Sequence, residues 1–291
     1  HLGNLRTALV AWLSARVSGG TFTVRMEDLD RVTSSRELAA AQLDDLAAIG
    51  LDWDGEVVFQ SDRFDRYEAA IDRLTALGLT YPCYCTRKEI REAAQAPHGA
   101  EVPYPGTCRD LYDAEHAARE ADGRRPALRL RANDEHIGFD DALLGSVSGT
   151  VDDVVLRRND GVPAYNLAVV VDDAAQGITE VVRGDDLAAS TPRQIHLCNL
   201  LGLPVPKYAH VPLVVGADGE RLAKRHGAVT LTDLRSAGHD AAAILSLLAH
   251  SLGLADVGEP VGAPQLVDRF SWSRIPRAPW QYSPGDALPQ P

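Results

Sequence analysis

The chain of 291 residues is 45% hydrophobic and 24% charged, a composition that suits a globular fold with a buried core and excludes a disordered polymer. With 29 basic against 41 acidic residues the formal charge is -12, so bulk charge cannot hold nucleic acid and only a local basic patch could. No apolar run approaches the about 20 residues needed to cross a bilayer and no secretory leader is visible, so a cytoplasmic protein is expected.

Residue 1 is a histidine, and HLGNLRTALVAW runs straight into an apolar segment with no strand before it. The start is therefore expected to be an interior junction, with the first strand of a βαβ unit ending at His1. Leu5, Ala8, Leu9, Ala11, Trp12 and Ala15 recur at helical spacing and predict a helix from Asn4 to about Val17, stopped by Gly19 and Gly20. TFTVRMED then reads as a strand and an acidic turn. Ser34 and Ser35 cap a helix expected to turn Leu38, Leu43, Leu46 and Ala47 to the core and to stop near Gly50. A further helix spans Arg63 to Leu77.

From Tyr81 to about Asp160 the pattern changes to a cysteine cluster, a Pro/Gly-rich loop, a polar helix near Asp110 to Ala121 and short strands at ALRLRA and DDVVLRR. AYNLAVVVDD, GITEVVRGDD and TPRQIHLCNLLG return to buried helix or strand patterns. LTDLRSAG and AAAILSLLAHSLGL predict two last helices, and the tail beyond Pro260 has little periodicity. The expected fold is α/β: a Rossmann-like parallel nucleotide-binding core over residues 1–80 and 161–230, an inserted α+β module at 81–160 and a helical C-terminal region at 231–291.

Five groups of residues carry chemistry. His1, Gly3 and Asn4 stand at a strand-to-helix junction, where a helix N-terminus suits phosphate. ERLAKRHGA supplies Arg221, Lys224 and Arg225 in a basic loop after a Gly-rich turn, able to close over a triphosphate, with Lys224 as a mobile point charge. Glu27, Asp28 and Asp30 follow a strand, where open α/β sheets bind ligands, and a carboxylate there can hold the ammonium of an amino acid. Tyr165 and Arg183 border apolar runs; arginine grips a carboxylate in bidentate fashion and a tyrosine hydroxyl fixes its orientation. Of four cysteines, Cys83, Cys85 and Cys108 cluster, which argues for metal, whereas Cys198 reads as a core residue. Chemistry alone leaves the fourth ligand open between His98 and Tyr104.

Taken together, HLGN, MEDLDR, YPCYCT, YPGTCR, AYNLAVVVDD, VVRGDD, TPRQI and RLAKR resemble class I aminoacyl-tRNA synthetases of the glutamyl type over roughly residues 1–230. HLGN stands where that family has HIGH and RLAKR where it has KMSKS; Arg221 and Ala223 replace the first lysine and the serine, and Lys224 keeps the second lysine. The resemblance implies an ATP site at His1, Gly3, Asn4, Arg221 and Lys224, with His1 and Lys224 catalytic. It implies a glutamate site at Glu27, Tyr165 and Arg183, and a structural Zn²⁺ held by Cys83, Cys85, Tyr104 and Cys108. ATP would act as substrate with Mg²⁺. In the family, the segment before HLGN adds an arginine and a serine to the glutamate pocket.

Val169, four residues after Tyr165, stands where the ordinary glutamyl enzymes carry asparagine, and only a short region follows Arg225. Both features resemble the branch that transfers glutamate to queuosine in the anticodon of tRNA(Asp). The partners implied are L-glutamate, ATP and the tRNA(Asp) anticodon stem-loop, with no membrane and a monomeric protein. A truncated enzyme acylating a tRNA 3′ end, or an inactive RNA-binding paralogue, are the alternatives.

Overall fold

The first helix, α1 (Leu2–Val17), buries Leu2, Leu5, Leu9 and Leu13 on one side, each worth about 1.5–3 kcal/mol when fully removed from water. The structure is a computed structural model and describes residues 1–30, 32–93, 103–222, 227 and 229–283. The core continues through β1 (Arg25–Met26), α2 (Arg36–Ala48), β2 (Val58–Phe59) and α3 (Phe64–Ala76). The inserted segment holds β3 (Thr80–Cys83), α4 (Arg87–Ala93), α5 (Asp113–Ala121), β4 (Ala127–Leu130), β5 (His136–Asp141), β6 (Gly145–Thr150) and β7 (Val155–Arg157). The chain then forms α6 (Tyr165–Gln176), β8 (Glu180–Gly184), α7 (Thr191–Leu201), β9 (Lys207–Val211) and β10 (Val214–Val215). It ends with α8 (Leu231–Ser236), α9 (Ala241–Ser251), α10 (Ala263–Val267) and β11 (Trp280–Gln281).

The fold is α/β. β8 and β9 run parallel in full register from Glu180 opposite Lys207 to Gly184 opposite Val211, and β1 runs parallel to β2. β3, β4 and β7 make an antiparallel sheet in the inserted segment. The hairpin of β5 and β6 leaves that sheet and joins the parallel one, where Asp141 lies opposite Tyr208. The four-stranded order is therefore β6-β5-β9-β8. Between β1 and β8 lies a cleft of about 490 Å³, walled by Ser14 and Ala15 of α1, Arg25 and Glu27, Asp173, and Glu180 to Val182. Among the described residues, β1 pairs only with β2 and β8 only with β9, so the two sheets flank this cleft.

Two large apolar clusters fill the body. One packs α1 against α8, α9, α10 and the end of β9; the other packs α3, α6 and α7 against β4 and β7. Arg6 of α1 is 1% exposed, yet among the described residues it meets no carboxylate. Its guanidinium donates to Ser251 Oγ at 3.1 Å, the Pro212 carbonyl at 2.8 Å and the Ser251 carbonyl at 3.3 Å. Burial lowers its pKa to about 10, which leaves it charged at neutral pH. This buried cation ties α1 to α9 and to the turn before β10.

Helix starts and stops follow local chemistry. Ser35 Oγ accepts from the Leu38 amide to cap α2, and Gly177, at φ +67°, ends α6 in a left-handed turn that side chains with a Cβ rarely adopt. The face of α2 differs from the expected one. Only Ala39 is buried; Leu43 and Leu46 are half-buried, and Leu38 and Ala47 face solvent. This helix lies on the surface and touches the body through a narrow strip, so periodicity placed more of it inside than packing does. The tail also holds more structure than its sequence implied, because β11 pairs in parallel with β10. Among the described residues no helix is long and apolar enough to cross a membrane.

Candidate active site

β1 delivers Arg25 and, just after its end, Glu27; α6 begins at Tyr165; β8 carries Arg183 near its C-terminal end. Arg25 spans the gap to α6, donating to Asp173 at 2.8 Å and Gln176 at 2.9 Å, and it reaches Glu27 at 3.4 Å. Burial raises the pKa of Glu27 even though the charges of Arg25 and Arg183 pull it down. Burial likewise raises that of Tyr165, with the field of Glu27 adding to it, so its hydroxyl stays a donor. Of the acidic trio, Glu27 alone lines the cleft between β1 and β8. Asp28 accepts from the Ser61 amide and hydroxyl at 2.9 and 2.6 Å and so ties the end of β1 to the chain after β2, while Asp30 accepts from Val32 and Thr33 and builds a local turn.

Arg183 is the most heavily engaged side chain of the site. Nη1 donates to Gln194 Oε1 at 2.8 Å and reaches the Tyr165 hydroxyl at 3.5 Å; Nη2 donates to Thr191 Oγ1 at 2.8 Å and the Leu187 carbonyl at 3.4 Å; Nε donates to His210 Nε2 at 3.1 Å. A Cβ on the next residue, Gly184, would lie 2.6 Å from Asp186 Oδ1 and 3.1 Å from Leu213, so a larger residue there would displace both side chains. Sequence reasoning did not single out Gln194, Thr191, His210 or Asp141. His210 had a legible signal, an imidazole inside the apolar run YAHVPLVV; Asp141, in a hairpin of the inserted segment, had none.

The N-terminus of α1 meets residues that flank the basic segment, Val214 before it and Val229 after it. The Leu2 amide donates to the Val229 carbonyl at 2.8 Å, and a Cβ on Gly3 would meet Val214 at 3.7 Å and His1 Nδ1 at 3.8 Å. His1 and Gly3 thus sit between the two stems of the loop, with Asn4 exposed beside them. Gly216 to Glu220 forms the tight turn, and Arg221 Nη1 pairs with Asp186 at 2.8 Å. Lys224, Ala223 and Arg225 lie outside the described residues, as do Arg31 and His98.

The catalytic-domain family of class I tRNA synthetases for E and Q matches residues 1–263. The chain belongs to this family. It is similar to a glutamyl-Q tRNA(Asp) synthetase of Nocardia farcinica, 62% identical over 96% of this chain and 88% of that protein. It is also similar to one of Symbiobacterium thermophilum, 50% identical over 96% and 91%. A crystal structure of a glutamate tRNA ligase from Elizabethkingia meningosepticum in complex with its amino acid superposes with a TM-score of 0.80 at 26% identity. It covers 97% of this chain, which spans 64% of that ligase.

Within this synthetase fold the inserted segment gathers the three thiols. Cys83, Cys85 and Cys108 are free, and their sulfurs lie within 4.8 Å of one another. The Tyr104 hydroxyl is 3.3 Å from Cys83 Sγ and 3.6 Å from Cys85 Sγ, and Cys85 and Cys108 sulfurs are 3.4 Å apart. A tetrahedron with Zn–S about 2.3 Å and Zn–O about 2.0 Å has edges of about 3.5–3.8 Å, so this set fits Zn²⁺ with little adjustment. Burial pushes the Cys85 thiol up to about 12, so a metal taking its thiolate must displace a proton. Arg129 lies 3.7 Å over the Tyr104 ring and presents a positive charge to the phenol.

A second cleft, of about 1330 Å³, runs from Glu27, Gln60 and Tyr165 to Cys83, Cys85 and five arginines, Arg87, Arg124, Arg125, Arg129 and Arg158. Arg124 pairs with Glu89 and Arg158 with Asp160, whereas among the described residues no carboxylate pairs with the exposed Arg87 or Arg125.

Proposed function

We propose that the chain activates L-glutamate with ATP, as its Mg²⁺ complex, to glutamyl-adenylate and transfers the glutamyl group to queuosine in the anticodon of tRNA(Asp). The observation that carries this reading is the meeting of Glu27, Tyr165 and Arg183, a carboxylate, a phenol and a guanidinium, within mutual electrostatic reach. That arrangement suits an ammonium at one end of an amino acid and a side-chain carboxylate at the other. The names of the two similar synthetases agree with it.

In this reading Glu27 holds the ammonium, and Arg183 with Tyr165 holds the side-chain carboxylate. The α-carboxylate of glutamate attacks the α-phosphorus of ATP and pyrophosphate leaves. His1, Asn4 and Lys224 stabilise the charge that develops, Gly3 lets the triphosphate approach the backbone, and Arg221 flanks it. No protein nucleophile is needed, since positioning and electrostatics supply the catalysis. A hydroxyl on the cyclopentene ring of queuosine then attacks the glutamyl carbonyl, the acyl–phosphate bond breaks and AMP leaves. Val169, buried at 4% exposure beside Tyr165, leaves the pocket one polar contact fewer than an asparagine would, worth about 1 kcal/mol.

Cys83, Cys85, Tyr104 and Cys108 would hold Zn²⁺, whose role there is to lock the inserted segment. Four protein ligands leave no open position for a substrate. The division into a core at 1–80 and 161–230, a module at 81–160 and a helical region at 231–291 belongs to the same reading. So do a monomeric state and a cytoplasmic location, where the tRNA is.

Glutamate-dependent ATP–pyrophosphate exchange without tRNA tests activation. Labelled glutamate on queuosine-containing tRNA(Asp) tests transfer: label that stays on the internal fragment after removal of the 3′ end is the expected result. Label lost with the 3′ end identifies an enzyme that acylates the terminus, and absence of exchange identifies an inactive paralogue.

The arginine-lined cleft is the expected seat of the anticodon phosphates. Arg87→Glu with Arg125→Glu should lower kcat/KM for tRNA by about tenfold or more and flatten its salt dependence by nearly one logarithmic unit per arginine. The effect on exchange should be much smaller. Equal losses in both assays would remove this cleft from the tRNA path.

A further inference from the structure

We infer that Asp141 and His210 form a buried relay that orients Arg183, with His210 neutral, its proton on Nδ1 and its Nε2 lone pair turned to the guanidinium. This rests on the reading of Arg183 as the contact for the substrate carboxylate. The three residues stand on adjacent strands of one sheet: Asp141 ends β5, His210 lies on β9, and Arg183 on β8 is directly opposite His210. Asp141 Oδ2 is 2.6 Å from His210 Nδ1, and both side chains are 0% exposed. Four further contacts come from amides: Leu143 and Leu144 donate to Oδ1 at 2.9 Å, and the His210 amide reaches the two oxygens at 3.2 and 3.1 Å.

So many donors keep the carboxylate ionised, and it can then only accept from Nδ1. On the other side of the ring Arg183 Nε, which can only donate, is 3.1 Å from Nε2. A single tautomer satisfies both contacts. Thr191 Oγ1, 3.3 Å from Nε2, accepts from Arg183 Nη2 and in this tautomer can only share the Nε2 lone pair as a second, longer donor. The ring is held against Tyr208, nearly parallel at 12°, and beside Phe139. Packing therefore fixes its plane, the carboxylate fixes its proton, and the lone pair fixes the Nε edge of Arg183. The Nη1 edge, which donates to Gln194, faces Tyr165. His210 and Asp141 are positioning residues that act through Arg183.

The test uses the full chain in glutamate-dependent ATP–pyrophosphate exchange, with thermal unfolding of each variant. His210→Phe keeps the volume and removes the acceptor, and it should raise the KM for glutamate about 10- to 100-fold, the range lost with a charge-assisted hydrogen bond. The KM for ATP should hardly move. His210→Gln can still offer a carbonyl oxygen towards Arg183 and an amide towards Asp141, and it should restore much of the glutamate affinity. A purely structural pair would lower the unfolding midpoint and weaken both substrates together. That result, or an unchanged KM for glutamate in a folded His210→Phe, overturns the relay. ¹⁵N chemical shifts of the His210 ring in the unaltered protein give a readout independent of activity and of the folding of variants. A protonated Nδ1 with an unprotonated Nε2 supports the relay, and the other tautomer or the imidazolium at neutral pH rejects it. If the unaltered protein shows no exchange with glutamate, the activity reading fails while the ring nitrogens still decide the relay.

Discussion

Arg183→Ala is expected to reduce kcat/KM for glutamate in ATP–pyrophosphate exchange by about 10²–10³-fold, or about 3–4 kcal/mol. The loss has two sources. The substrate carboxylate loses a planar, always-charged partner, and Gln194, Thr191 and His210 lose the donor that now satisfies them. Arg183→Lys keeps the charge without the fork, and a lysine cannot meet His210, Gln194 and Thr191 in one plane; most of the loss should persist. Measurement of KM for each substrate separates this from general damage, since Leu2 and Gly3, at the proposed ATP site, sit against Val229 and Val214 rather than against Arg183. A decrease below about threefold in Arg183→Ala would remove this residue from the glutamate site, because even a single neutral hydrogen bond is worth more.

Zinc removal is expected to have the second large effect, on stability and on the tRNA step. Purified protein should carry about one zinc per chain, matching the single three-thiol cluster among the described residues. Cys108→Ser, or a strong chelator, should lower the unfolding midpoint by about 10 °C, since loss of a few kcal/mol shifts Tm by about 2–4 °C per kcal/mol in a chain of this size class. The apolar support around this cluster is small: Tyr81, Tyr84 and Tyr104 pack with the cysteines as a cluster apart from the two large ones. Without a cross-link it has little to hold it. Because Cys83, Cys85, Arg124 and Arg125 border the same cleft, transfer to tRNA should fall further than glutamate activation does. Metal analysis, thermal unfolding and the two assays on one preparation check this. Metal-free protein with an unchanged midpoint would reject a structural zinc.

The chemistry of individual residues was legible where a rule acts within a few positions. The Ser35 cap, the stop of α1 before Gly19 and the Cys83-x-Cys85 pair are written in neighbouring residues, and each recurs in the structure. Glu27, Tyr165 and Arg183 could be picked out as a carboxylate, a phenol and a guanidinium at the edges of apolar runs. The solvent side of α2 could not, because periodicity states which residues share a face and not how much of that face a neighbour covers.

By itself, then, the sequence determined the α/β class, the helices with clear apolar periodicity, the thiol cluster and the family to which the motifs belong, but not the β5–β6 hairpin or β11. Tertiary structure alone decided which polar groups became partners. Asp141, Arg183 and His210 come from three separate stretches of chain and meet only because β5, β9 and β8 lie side by side. A buried polar group needs a partner wherever one can be found, and strand order places that partner at a distance in sequence that no local rule encodes. The same holds for Arg6, whose acceptors Pro212 and Ser251 are supplied by elements packed on α1 long after it in the chain. Local propensity could name a cation in a helix; only packing could bury it and give it acceptors.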